Sequence, residues 1–68
     1  DQYEGILVKN QWLLQDGNYY YLNDAGIRAE GWLQVNGNWH YFYPGTGVMA
    51  VNTFIDGFRI NENGIWVK

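Results

Sequence analysis

The chain has 68 residues, a formal charge of −3 and no cysteine, with 19% aromatics, nine glycines and one proline. A chain of this length holds one small core at most, with no disulfide to staple it. Without thiolates the lone His40 cannot build a metal site. Four cations give no basic stripe for nucleic acid, and no apolar run approaches the roughly 18 residues of a membrane span.

Taken in chain order, the sequence repeats. Residues 1–9, ending GILVK and with no signal-peptide character, read as the tail of a preceding unit. Unit one covers 10–30 and unit two 31–51. Trp12 aligns with Trp32, Leu13 with Leu33, Asp16-Gly17 with Asn36-Gly37, Tyr19 with Trp39 and Tyr21 with Tyr41. A short unit over 52–68 carries Asp56-Gly57, so the Asx-Gly pairs recur with a period of twenty. The tails GIRAE, GVMAV and GIWVK repeat too, and the shortened last unit reads as a terminal cap, with Lys68 as a natural C-terminus.

Each unit reads as a β-hairpin. Asp-Gly or Asn-Gly between alternating aromatic segments is a strong hairpin signal, because a type I′ turn needs φ > 0 at both central positions. With Asn36-Gly37 as the loop, Val35 pairs with Asn38, Gln34 with Trp39, Leu33 with His40 and Trp32 with Tyr41. Paired residues share a face. Trp32, Gln34, Trp39 and Tyr41 then lie together, opposite Leu33, Val35, His40 and Phe42. In unit one, Trp12, Leu14, Tyr19 and Tyr21 lie opposite Leu13, Tyr20 and Leu22.

A lone hairpin is marginal in water, whereas a stack buries a core between neighbours. The predicted fold is therefore all-β, a solenoid of stacked hairpins without helix, with Leu13, Tyr20, Leu22, Leu33, Phe42, Phe54 and Ile60 in its core.

The recurrent aromatic face suits cross-strand packing. Its recurrence in step with the repeat also points to a groove walled by rings, fit for a quaternary ammonium or for a stacked sugar. Few polar residues stand near these rings (Asn18, Gln34, Asn36 and Asn38), which favours the cation.

Other chemistry is sparse. His40, on the face of Leu33 and Phe42, reads as a packing histidine. Asp16, Asp24, Asp56 and Glu62 fall in or near turns, where short acids cap the backbone. A carboxylate such as Glu30 or Asp24 near a cage would add attraction for a cation. No scaffold holds a glycosidase carboxylate pair, and the absence of both Ser and Cys removes the commonest nucleophiles. Gly17, Gly37 and Gly57 read as turn glycines, with no helix following to make a phosphate loop.

The segment GWLQVNGNWHYF…GVMA closely resembles the choline-binding, or cell-wall-binding, repeat of Gram-positive surface proteins and cell-wall hydrolases. The ending VNTFIDGFRINENGIWVK resembles the terminal unit of clostridial versions. The resemblance spans 5–68 and is tightest in unit two. It implies a left-handed hairpin solenoid with choline sites between successive hairpins, two aromatics coming from one unit and a third from the next. Carried over, the first cage is Trp12 and Tyr19 with Tyr41, lined by Met49. The second begins with Trp32 and Trp39. There Arg59 aligns with Tyr41, and Trp66 fills the slot of Met49. Tyr21 is placed to close a cage with a preceding hairpin, and Thr53, at the Gly-Trp position of the last unit, starts none. His40 stands where the family usually carries Tyr.

The resemblance thus implies a non-catalytic module without cofactor or metal, secreted or at the cell surface. It would anchor a larger protein, such as a cell-wall hydrolase, to choline or choline-bearing teichoic acid. The alternatives are a glycan-binding repeat of the glucan or toxin type and a structural or oligomerisation piece. A homodimer through the solenoid ends is a further expectation.

Overall fold

The computed structural model describes residues 9–67. The tail expected over 1–9 lies, but for Lys9, outside the described residues, as does Lys68. Strand β1 (Gln11–Gln15) pairs with β2 (Asn18–Leu22), and β3 (Gly31–Val35) with β4 (Asn38–Phe42), both antiparallel. Strand β5 (Thr53–Ile55) pairs with β6 (Phe58–Ile60), which takes β7 (Trp66–Val67) on its other edge. There is no helix among the described residues. The result is a solenoid of three hairpins, measuring 41 × 24 × 19 Å.

The turns explain the hairpins. Asp16, Asn36 and Asp56 sit at φ 52°, 52° and 53°, and Gly17, Gly37 and Gly57 at 82°, 86° and 84°. Both central residues of each two-residue loop are thus left-handed, which matches the right-handed twist of the flanking strands. The pairings follow as expected from sequence, with Trp12 opposite Tyr21, Leu14 opposite Tyr19, Trp32 opposite Tyr41 and Gln34 opposite Trp39.

A compact loop returns the chain from each hairpin to the next. Asn23 Oδ1 accepts hydrogen bonds from the Ala25 and Ile27 amides, and Asn61 Oδ1 accepts from those of Asn63 and Ile65. This side chain imitates a backbone turn. The middle unit has Tyr43 at the matching place, with Pro44 following, and no Asn to cap it: the Tyr43 amide donates to the Val48 carbonyl and the Gly47 amide to the Tyr43 carbonyl, while Thr46 Oγ1 accepts from the Val48 amide. After each loop a short segment bridges back to the hairpin, Arg28 to Leu22, Met49 to Phe42 and Trp66 to Ile60. These three residues therefore occupy one repeated slot.

Stacking buries Phe42 and Ile60 completely, and Tyr20, Val35, His40, Met49, Ala29 and Ala50 nearly so. Phe42, Met49 and Ala29 form one cluster, with Tyr21 and Leu33 against it. Leu13, Leu22 and Leu33 are half-buried. Phe54, expected in the core, is instead 67% exposed. It pairs with Arg59, so these two share the face of β5–β6 turned away from the second hairpin, where no further hairpin of the described residues covers them.

Candidate functional site

The rule of stacking decides which residues meet. The Trp12 face of the first hairpin packs on the opposite-parity face of the second: Trp12 lies 5.0 Å from the His40 ring and 6.0 Å from that of Phe42. In the same way Trp32 lies 5.9 Å from Phe58, at 89°. Each interface leaves a hollow beside these contacts.

The first hollow, of about 540 Å³, is lined by Trp12, Tyr19, His40 and Met49 together with Gly17, Val51, Glu62 and Asn63. The second, about 260 Å³, is lined by Trp32, Trp39, Phe58 and Trp66 alone. The two sets correspond slot by slot. Trp12 and Trp32 stand at the head of their hairpins, Tyr19 and Trp39 across from them, and Met49 and Trp66 on the returning segment. His40 and Phe58 each lie two residues before the fully buried residue of their strand.

The structure brings together most residues expected at the site, but not all. Trp12, Tyr19 and Met49 share the first hollow, and Trp32, Trp39 and Trp66 the second. Tyr41 does not reach the first hollow. It shares a face with Trp32 and packs on it edge to face, centroids 5.1 Å apart, with Tyr43 at 5.8 Å on its other flank. Tyr21 does the same for Trp12, at 5.2 Å. Both tyrosines brace the first tryptophan of their own hairpin, because cross-strand partners lie side by side on one face.

The wall expected from Tyr41 is His40 in the first hollow and Phe58 in the second. Sequence reasoning passes over both, although the signal is present: they sit on the face that the next hairpin offers. Arg59, which aligns with Tyr41, points to the far face with Phe54 and stays out of the second hollow. Neither Glu30 nor Asp24 lines a hollow; Glu62 lines the first. In the slot of His40, the first hairpin carries Tyr20, and the Arg28 guanidinium covers that ring at 4.1 Å.

The electrostatics of the two hollows differ. Tryptophan, tyrosine and phenylalanine faces are electron-rich and attract a cation placed over them. In the first hollow Glu62 adds a carboxylate, and His40 a titratable ring only 5% exposed. Burial holds the His40 imidazole below its ordinary value, since removal from water disfavours the charged form, and a hydrogen bond with the Gly64 backbone opposes that in part. Among the described residues its Nδ1 has no hydrogen-bond partner.

Close approach also shapes the first hollow. A Cβ on Gly64, whose φ is +76°, would stand 2.5 Å from Met49 Sδ. The Met49 amide donates to the Tyr19 carbonyl at 2.9 Å, tying the returning segment of the second unit to the first hairpin. No helix among the described residues is long and apolar enough to cross a membrane, and no described cluster of His, Asp or Glu could hold a metal ion.

Stacked hairpins with aromatic hollows between them define a class of repeat module. The family model for the choline-binding repeat matches residues 8–54, and the chain belongs to that family. Solved structures agree. The chain is 47% identical to CbpJ of Streptococcus pneumoniae TIGR4 over 85% of its own length and 20% of CbpJ, with a TM-score of 0.78. It is 45% identical to choline binding protein F of Streptococcus pneumoniae over 90% of itself and 20% of that protein, at TM-score 0.81. With the modular autolysin LytC of the same species it shares 30% identity over 88% of itself and 14% of LytC, at 0.82. The chain thus spans about a fifth or less of these proteins. No curated protein matches it.

Proposed function

We propose that each hollow holds the trimethylammonium group of choline. Trp12, Tyr19, His40 and Met49 form the first site, and Trp32, Trp39, Phe58 and Trp66 the second. The observation that carries this reading is the second hollow, whose four walls are all aromatic rings. A sugar there would leave its hydroxyls without partners, at a cost of about 1–3 kcal/mol for each buried one. A quaternary ammonium has no N–H or O–H on its cationic end and needs only π faces, worth about 0.5–2 kcal/mol for a ring depending on desolvation.

Three or four such rings correspond to millimolar binding at one site. Repeated sites on a polymer that displays choline gain by effective concentration. The module therefore serves to anchor a longer secreted protein, such as a cell-wall hydrolase, to choline-bearing teichoic acid, and performs no catalysis itself. The autolysin among its structural relatives is in keeping with such a parent. The open face bearing Phe54 and Arg59 is where two copies would meet in a homodimer, which sedimentation with and without choline tests.

The decisive experiment follows Trp fluorescence during titration with choline and, separately, with maltotriose. A saturable response to choline in the millimolar range, with none to the oligosaccharide, is expected. Silence up to tens of millimolar choline, roughly the weakest affinity such a cage supports, would reject the choline reading. A response to maltotriose alone would assign the module to glycans.

A further inference from the structure

The two hollows differ most in the wall each receives from the following hairpin. The second receives Phe58, which cannot take up a proton. The first receives His40, centred 5.0 Å from Trp12 at 77°. Its ring is one of the hollow's own walls, so any charge on it borders the space that a cation would fill.

We propose that His40 makes the first hollow a pH-dependent site, which accepts a quaternary ammonium only while the imidazole is neutral, whereas the second hollow binds independently of pH. The proposal rests on the ammonium reading above. Neutral imidazole is an aromatic wall like Phe58. Imidazolium is a second cation, repelling the ligand at short range in a partly desolvated space and competing with it for the electron-rich face of Trp12.

The groups around His40 leave the switch to this ring. Its ring meets Trp12 of β1 and Phe42 of its own strand, and it shares the hollow with Gly17 and Tyr19 of the first turn and β2 and with Met49 and Val51 of the returning segment. From the loop after β6 come Glu62, Asn63 and Gly64. Glu62 is the one carboxylate lining this hollow among the described residues. Burial of His40 lowers its midpoint and so favours the neutral ring, which moves closure of the site toward acid.

His40 and Met49 are the chain's sole histidine and methionine, so each gives one NMR signal and both report the first hollow. With the wild-type protein, choline at pH 8 is expected to shift the Met49 methyl resonance. Saturating choline should lower the His40 midpoint, since proton and ligand must oppose each other reciprocally. The apparent Kd read at Met49 should double at the ligand-free His40 midpoint and rise about tenfold one pH unit below it. His40→Phe, which keeps Glu62, should show a flat profile over that range, with His40→Tyr as a second variant should the first fold poorly.

An unchanged His40 midpoint at saturation, or a Kd constant across the histidine titration, overturns the proposal and leaves the ammonium reading intact. A Met49 methyl unmoved by choline at pH 8 overturns both for this hollow.

Discussion

The first and second hollows are built on the same frame and filled with different chemistry. In each, the head tryptophan of one hairpin stands against the opposite-parity face of the next, and the returning segment closes the side. At the other three positions the first has Tyr19, His40 and Met49, where the second has Trp39, Phe58 and Trp66. The first is also roomier and counts Glu62 and Asn63 in its lining. The difference separates two jobs. Turn chemistry and strand parity place the walls, so a hollow lies at each of the two interfaces between stacked hairpins. On the reading proposed above, the identity of each wall then sets affinity, ligand polarity and response to pH.

The comparison breaks hardest at Phe42. Fully buried, it lies against Trp12 and His40 and packs with Met49, three residues that line the first hollow. Phe42→Ala should cost about 3–5 kcal/mol in urea unfolding, a large share of the stability of so small a domain.

Trp39→Ala separates the sites. Trp39 is 38% exposed, so little core is lost, but the second hollow loses a wall. Choline binding there should weaken about tenfold, one ring being worth about 0.5–2 kcal/mol, as read from the Trp66 indole resonance. The Met49 response should persist.

Gly64→Ala acts on the first hollow from behind. It forces a side chain onto φ +76° and drives Met49 from its place. A loss of about 1 kcal/mol in stability is expected, together with a displaced Met49 methyl resonance.

The smallest effect is the pH dependence of stability. Burial depresses the folded His40 midpoint, so at mildly acidic pH the unfolded chain binds the extra proton. Stability is complete above the unfolded value of about 6.5, falls as pH drops from there to the folded midpoint, and is level below it. The slope is at most about 1.4 kcal/mol per pH unit for one group. Urea midpoints from pH 8 to 5 should show it in the wild type, and His40→Phe should lack it.

Much of the fold is legible in the residues. Asx-Gly pairs at 16, 36 and 56 locate the turns because few other pairs accept two positive φ values. Once the turns are placed, the register and the sharing of faces follow from the two-residue period of a strand. That period alone assigns Trp12 with Tyr19, and Trp32 with Trp39, to common faces. Less local features escape it. Nothing in the sequence near Glu62 shows that the loop after the third hairpin reaches back to the first hollow. Asn23 and Asn61 read only as polar loop residues, although each accepts two amide hydrogen bonds that hold its turn. Phe54 reads as core because an aromatic in a strand usually finds a partner, yet the face it shares with Arg59 is left open.

Tyr41 marks the boundary most clearly. Sharing a face with Trp32 and Trp39, it has the look of a third cage wall, but cross-strand neighbours brace each other. The wall comes from the next hairpin, which offers its other face. Parity within a hairpin is a local property, carried by φ, ψ and the turn, so the sequence by itself determined the hairpins, their register and their aromatic faces. Which face meets which depends on how the Asn- and Gly-containing loops rotate one hairpin onto the next and on burial of Phe42 and Ile60 between them. Only the tertiary structure decided that, and with it that His40 and Phe58 close the two hollows.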